Sequence, residues 1–316
     1  MPRCEICGKD DFKLISAELR EGPGRICRCK SCGLVIQDAA WTSEDIERYY
    51  NEEYQKAHSL DVNKEQSPQE HFASRLKTIK PLVDLIHKAL KKNMSVLEVG
   101  CGAGELLYSI KGKVKDVAGL ELSKGFVDFM KNKLNIEAYA EDVNKMDFGA
   151  RKFDFIISVA TLDHLPNPLE TLITMKRLLS RKGLVYIELP NLDQALNFYL
   201  PENSRKAFNR FFWHKGHFFY FDRKTLSKLM QKAGFDCDIT CRHEYTLRNY
   251  LNWYFTGSSQ ATFVDATTGV GLFSGGSPFE KGMNEIFMDI EGSFHKLMAR
   301  TFKGDTLCCL AKPTKG

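Results

Sequence analysis

Four of the ten cysteines form two matched pairs, Cys4-x-x-Cys7-Gly8 and Cys29-x-x-Cys32-Gly33, separated by a short polar and β-prone stretch. Thiolates repeated at that spacing suit a closed tetrahedral zinc site in which each pair makes one knuckle. Cys27 is the nearest competitor for a ligand place, but it breaks the knuckle spacing. A second chemical stretch is VLEVGCGAGELL at residues 96–107, where an apolar run leads straight into Gly100, Gly102 and Gly104. Glycine lets backbone approach a ligand closely, and the helix expected from Glu105 opens with unpaired N–H donors. A pyrophosphate cradle would carry G-x-G-x-x-G. Here Glu105 stands at the third glycine position and Glu98 precedes the first. Two carboxylates would repel a diphosphate and suit a ligand bearing an ammonium and a sulfonium.

At this point the chain resembles the class I S-adenosylmethionine-dependent methyltransferases, whose first motif, [DE]-x-G-x-G-x-G, is matched by Glu98, Gly100, Gly102 and Gly104. The resemblance implies that Glu98 helps hold the methionine end of the cofactor. It also implies that Asp142 meets the adenine amino group and the Val143 backbone its ring nitrogen. Glu121 ends a second apolar run, where a carboxylate is placed to accept both ribose hydroxyl hydrogens. Base candidates for deprotonating a hydroxyl acceptor are His164, His214 and His217, with His217 favoured slightly and His164 second. For either, a histidine that merely caps a turn is as good a reading.

The elements that must position these groups read as follows. Residues 1–40 are a zinc ribbon, too small to fold without its metal. Its seven positive and six negative charges leave it nearly neutral, which argues against a grip on a phosphate backbone. Residues 41–68 are a helical linker, with Ser43 as N-cap of a tyrosine-bearing helix. Apolar residues at helical spacing fill 69–92, with a kink expected at Pro81. Strands are expected at 96–99, 117–120, 136–140, 153–159, 184–189, 235–241 and 306–311. The fold class is therefore α/β: a Rossmann-like, mostly parallel seven-stranded methyltransferase sheet over 69–316, with insertions at 191–221 and 242–305.

Over 201–232, eight basic side chains face two acidic ones, interleaved with aromatics, which suggests a lid for a small anionic acceptor or a platform for stacking RNA bases, while for most of the phenylalanines a surface helix packed on the core is the better reading. The fourth strand lacks the [DNS]-P-P-[YF] ending that holds a planar nitrogen, and no Pro-Cys pair offers a nucleophile, so base methylation of nucleic acid is disfavoured. The subgroup most resembled joins a CxxC ribbon to this core in bacterial surface-polysaccharide or modified-sugar pathways. A nucleotide-linked sugar is the expected acceptor. Those zinc-bearing sugar C-methyltransferases possess a further large C-terminal domain that has no counterpart here, so their catalytic residues cannot be placed. The rivals are a zinc-containing RNA methyltransferase and a non-catalytic cofactor-binding module. The net charge of +5 favours neither. No stretch is long and apolar enough for a membrane span, and MPRCEICGKD lacks the apolar centre of a signal peptide, so a cytoplasmic protein is expected.

Overall fold

The computed structural model describes residues 3–39, 41–42, 45, 48–49, 66–260, 266–267 and 271–314. The ribbon consists of β1 (Phe12–Leu19), β2 (Gly22–Cys29) and β3 (Val35–Gln37). After it come helices α1 (Pro68–Leu76) and α2 (Lys80–His87), β4 (Ser95–Val99), α3 (Glu105–Ile110) and β5 (Asp116–Leu120). Helix α4 (Lys124–Phe129), β6 (Glu137–Tyr139), β7 (Phe153–Val159), α5 (Pro168–Leu178) and β8 (Leu179–Pro190) complete the first part of the core. The remaining elements are α6 (Glu202–Phe212), β9 (Phe219–Tyr220), α7 (Arg223–Lys232), β10 (Phe235–Arg242), α8 (Leu247–Thr256), α9 (Pro278–Arg300) and β11 (Thr306–Pro313).

Seven strands form one sheet in the order β6–β5–β4–β7–β8–β11–β10. All run the same way except β11, which pairs antiparallel with both β8 and β10. This is the Rossmann-like sheet expected from the apolar runs. The chain leaves β4 toward β5 and β6, then returns to place β7 on the other side of β4. That reversal opens a crevice beyond the carboxyl ends of β4 and β7, the place where such sheets bind ligands. The central strand β4 is buried along its whole length. On one face Val96 packs with Ile86 of α2 and Ile110 of α3. On the other, Leu97 and Val99 join Leu172 of α5 and Leu226 of α7.

Several boundaries differ from the pattern reading. The helix expected to kink at Pro81 is two helices, because Pro81 occupies the first turn of α2, where its missing N–H costs least. The helix after Ser123 gives way to a π-helical turn over Met130–Leu134. Strand β8, expected at 184–189, begins already at Leu179, directly after α5 ends at Leu178. The expected tyrosine-bearing helix of the linker lies largely outside the described residues. No described helix is long and apolar enough to cross a membrane.

The ribbon is not an appendage. Its sheet runs β1–β2–β3–β9, so its fourth strand is borrowed from the insertion after β8, with Val35 opposite Tyr220 and Ile36 opposite Phe219. Its buried residues Cys27, Leu34 and Ile36 belong to the same apolar cluster as Phe218, Leu226 and Leu229. From α7, Lys228 reaches the carbonyl of Cys32 at 3.4 Å and Lys232 that of Glu5 at 2.7 Å.

Candidate cofactor pocket, cysteine cluster and histidine loop

The turn after β4 uses three left-handed glycines, with φ of 75° at Gly100, 53° at Gly102 and 84° at Gly104. A Cβ at Gly100 would collide with the Thr161 side chain, so glycine is required there by space as well as by φ. The Gly102 N–H donates to Glu121 Oε2 at 3.0 Å, and the Ser123 N–H to Oε1 at 3.0 Å. Glu121 thus ties the glycine turn to the end of β5. A pocket beyond these strand ends is lined by Gly100, Glu121, Asp142, Val143, Ala160 and Thr161 among others. It gathers four of the residues expected to hold the cofactor. Glu98, Gly102 and Gly104 build the turn around which it forms.

The carboxylates fit a cationic ligand. Glu98 is 4% exposed, and its Oε2 has no hydrogen-bond partner among the described residues. Burial raises its pKa well above the ordinary carboxylate range, and repulsion from Glu105 and Glu121 raises it further. Glu121 and Glu105 are also raised by burial, against backbone donors at Glu121 and against Arg75 at Glu105. The Arg75 guanidinium is 3.9 Å from Glu105, a loose ion pair. A ligand carrying an ammonium and a sulfonium would stabilise the charged form of all three acids.

This predicts proton release. Cofactor binding should lower the raised pKa values, so calorimetry over a range of pH from acid to neutral, in buffers of different ionisation enthalpy, should show protons leaving the complex. Affinity should fall as the pH drops through those raised values, by about tenfold per pH unit for each proton displaced. Identical binding heats and a flat affinity profile would contradict the arrangement.

The four cysteines Cys4, Cys7, Cys29 and Cys32 place their sulfurs within 4.8 Å of one another. Cys4 Sγ lies 3.4 Å from Cys32 Sγ, and Cys7 Sγ 3.6 Å from Cys29 Sγ. A tetrahedron with metal–sulfur distances of about 2.3 Å has edges of roughly 3.8 Å, so the donor set fits zinc with no open position. The backbones repeat as well: Gly8 N–H donates to Cys4 O and Gly33 N–H to Cys29 O. Cys27 is fully buried but lies outside this group.

At the end of β7 a short 3₁₀ turn, Leu162–His164, carries Asp163 and His164, both buried, between the pocket-lining Thr161 and Leu165. Asp163 is 1% exposed, and neither of its oxygens accepts a hydrogen bond among the described residues. The nearest histidine nitrogens are His217 Nδ1 at 3.6 Å and His164 Nε2 at 3.8 Å. Burial pushes the Asp163 carboxyl up to about 7. Burial, and then His214, push His164 down to about 3, so it stays neutral in any ordinary buffer. His217 is the more open of the two, and its ring packs edge-on against that of His164 at 4.4 Å.

The ribbon holds the loop that delivers His217. Glu21 Oε1 is 3.0 Å from His214 Nε2, while Glu21 Oε2 accepts from the Lys215 N–H at 3.0 Å. Because His214 Nδ1 accepts from the Gly216 N–H, its proton belongs on Nε2, facing Glu21. With its amide nitrogen turned to the loop, Gln37 donates to the carbonyls of His217 at 2.8 Å and Lys215 at 3.1 Å. The Gln37 N–H donates to Phe218 O, and the Phe218 N–H to Asp163 O. These links join ribbon, histidine loop and the end of β7. Sequence spacing singled out His164 and His217 but not Asp163, Glu21 or Gln37, whose roles depend on neighbours far along the chain.

The basic stretch at 201–232 is less of a lid than its composition suggested. Helix α6 turns Phe208 and Phe212 inward against Trp213, Tyr220 and Trp253 and leaves its charges outside. Lys206 pairs with Glu202 at 2.7 Å, Arg205 reaches Phe198 O at 3.5 Å, and Arg223 stacks on Phe302. Helices α6 and α7 together engage most of these cations in contacts within the protein rather than at the pocket.

A seven-stranded sheet of this order, with a glycine turn after its central strand and acids at the next two strand ends, defines an S-adenosylmethionine-dependent methyltransferase. The chain belongs to the methyltransferase-domain family, whose model matches residues 69–239. It is similar to the ubiquinone biosynthesis O-methyltransferase of Coxiella burnetii (strain RSA 493 / Nine Mile phase I), 26% identical over 182 residues, covering 55% of this chain and 75% of that one. It is also similar to the tRNA U34 carboxymethyltransferase of Pasteurella multocida (strain Pm70), 27% identical over 161 residues and 48% of each chain. Among solved structures, an S-adenosylmethionine-dependent methyltransferase from Archaeoglobus fulgidus aligns with a TM-score of 0.47 at 17% identity, covering 77% of this chain and 99% of that chain. The magnesium protoporphyrin IX methyltransferase of Synechocystis PCC 6803 with bound S-adenosylmethionine aligns with a TM-score of 0.44 at 15% identity, covering 65% and 92%.

Proposed function

We propose that this enzyme transfers a methyl group to a hydroxyl oxygen of a small acceptor, with His217 as general base and Asp163 as its charge partner. The observation that carries the reading is the Asp163–His217 pair at the end of β7, beside the cofactor pocket. The cofactor supplies a methyl group already activated on a sulfonium, so the protein mainly positions the acceptor and removes its proton. His217 takes the proton from the acceptor hydroxyl as the oxygen–methyl bond forms, and Asp163 stabilises the imidazolium. His164 stays neutral and shapes the wall. Glu98, Gly100, Gly102, Gly104, Glu121, Asp142 and Val143 hold the cofactor, and one zinc sits on Cys4, Cys7, Cys29 and Cys32.

The acceptor class we favour is a nucleotide-linked or polysaccharide-precursor sugar. Such a molecule offers a hydroxyl to the base and an anion to a guanidinium. Arg20, at the ribbon's hairpin tip, is the best-prepared cation. Its Cζ lies 3.7 Å from the centre of the Phe211 ring, and its Nε donates to Phe211 O at 2.6 Å, so its terminal nitrogens keep a fixed fork for a phosphate. The O-methyltransferase name of one relative agrees with oxygen as the methylated atom.

A second reading, methylation of RNA, draws on the tRNA-modifying relative and on the outward charges of α6. Methyl incorporation is to be compared on a panel of nucleotide sugars and on total RNA. Incorporation into a sugar, with KM raised by Arg20→Ala and kcat little changed, is the expected result. Incorporation into RNA alone would transfer the case to the second reading.

A further inference from the structure

We propose that Cys237 and Cys309 form a redox-active dithiol: a hydroperoxide oxidises Cys237, and Cys309 closes a disulfide onto it. The pair is set by the register at the edge of the sheet. Cys237 of β10 stands opposite Ala311 of β11, and Cys309 opposite Ile239, so both side chains lie on one face, one diagonal step apart. Cys309 is buried in the apolar core, and Cys237 packs against that core while staying partly exposed. The two thiols hydrogen-bond each other, with Cys309 as the donor.

The surroundings select Cys237 as the thiol that reacts. It lines a cavity of about 770 Å³ at the amino ends of β8 and β10, beside Arg181, Lys182 and Lys312, so a small oxidant can reach its sulfur. The Cys309 thiol, together with the Ser227 hydroxyl of α7, holds Cys237 below the ordinary thiol range, against burial and the charges of Asp236 and Asp238. Outside the cluster of Cys4, Cys7, Cys29 and Cys32, the remaining cysteines are buried, and burial or a neighbouring thiol raises each of them. The thiolate is the reactive form, and an accessible thiol of lowered pKa beside a resolving thiol is what a peroxide-sensitive site requires.

No further reagent is needed. The Cys237 thiolate attacks the terminal peroxide oxygen, the O–O bond breaks, and hydroxide or alkoxide leaves, giving a sulfenic acid. The Cys309 sulfur then attacks the Cys237 sulfur, the S–O bond breaks, and the Cys309 proton departs with the hydroxyl as water. Two electrons pass from the sulfur pair to the peroxide. Loss of the Cys237 charge removes the main cause of the Cys309 shift and frees Cys309 to attack. The pair lies at the opposite end of the sheet from the cofactor pocket, so it stands independently of the proposed methyl transfer.

The test treats the full-length protein, reduced and then freed of reductant, with a few equivalents of hydrogen peroxide and maps its peptides by mass. A Cys237–Cys309 disulfide is expected, reversed by dithiothreitol, with cofactor affinity unchanged. Cys309→Ala should leave a sulfenic acid at Cys237 that dimedone captures. Cys237→Ser should slow the early loss of thiol by about tenfold or more, since only buried thiols and the cluster of four remain. A Cys237 that stays a free thiol, a Cys237 joined to a second copy instead of to Cys309, or first oxidation at the cluster of four would each overturn the proposal.

Discussion

His217→Ala should lower kcat by about 10²- to 10⁴-fold, the range for loss of a positioned general base, while cofactor affinity stays close to wild type. The cofactor pocket is built from the ends of β4, β5, β6 and β7 and contains no part of the histidine loop. Asp163 and His217 face each other at 3.6 Å, and burial raises the Asp163 carboxyl to about 7, so the charge beside the His217 ring should change near neutrality. Wild-type kcat should therefore fall on the acid side, where the base is protonated. His217→Ala should erase that limb, and Asp163→Asn should lower kcat and displace the limb. His164, held down to about 3, cannot supply a limb near neutral pH. A His217→Ala enzyme of full kcat, beside a dead His164→Ala enzyme, would reverse the assignment.

Removing the proposed zinc should be nearly as damaging, although a metal on the four cysteines would touch neither reactant. Chelation, or Cys29→Ser, should cost activity by about 10²-fold or more while leaving cofactor affinity within a few fold, as expected when a small misplacement disables a positioned group. The path is physical. Zinc-bound thiolates would hold the ribbon, and β3 lends Val35 and Ile36 to pair with β9. Gln37 and Glu21 then fix the carbonyls of Lys215 and His217, the Lys215 N–H and the His214 ring. A classical ribbon of this size is unfolded without metal, so the loop would lose these partners together. Cys27→Ser should keep its zinc, because Cys27 stands outside the cluster of four. Metal analysis beside cofactor calorimetry checks both halves. Full activity after complete metal loss would show that the loop stands without the ribbon. Loss of cofactor binding together with the metal would make the ribbon a support of the whole fold.

Glu280→Ala offers a way to see how local the sequence code is at α9. The Ser277–Glu280 capping box can be read from four residues, and it sets the start of the helix whatever packs on it. The same is true of the glycine turn. Three left-handed positions and an apolar run are local demands, so residues 96–107 declared both the strand and the turn. The cysteine knuckles are local in the same sense, since each pair and its glycine make one loop. The sheet order follows once β5 and β6 precede β7, because parallel crossovers leave few other arrangements.

What the sequence could not determine is where the ribbon sits and what it does there. The pairing of β3 with β9 joins residues nearly the whole core apart in sequence, and a two-residue strand has no periodicity to announce it. Net charge and aromatic content could not separate a lid from a fastened surface helix, because composition is blind to direction. The inward turn of Phe208 and Phe212, and the ion pair of Lys206 with Glu202, decide it. Asp163 is one acid among many in the sequence. Only burial at the end of β7, against His217 and without hydrogen-bond donors, gives it a carboxyl that titrates near neutrality. Local chemistry therefore determined the cofactor turn and the metal knuckles, and long-range packing decided the acid–base pair, because a pKa is set by what surrounds a group and not by its place in the chain.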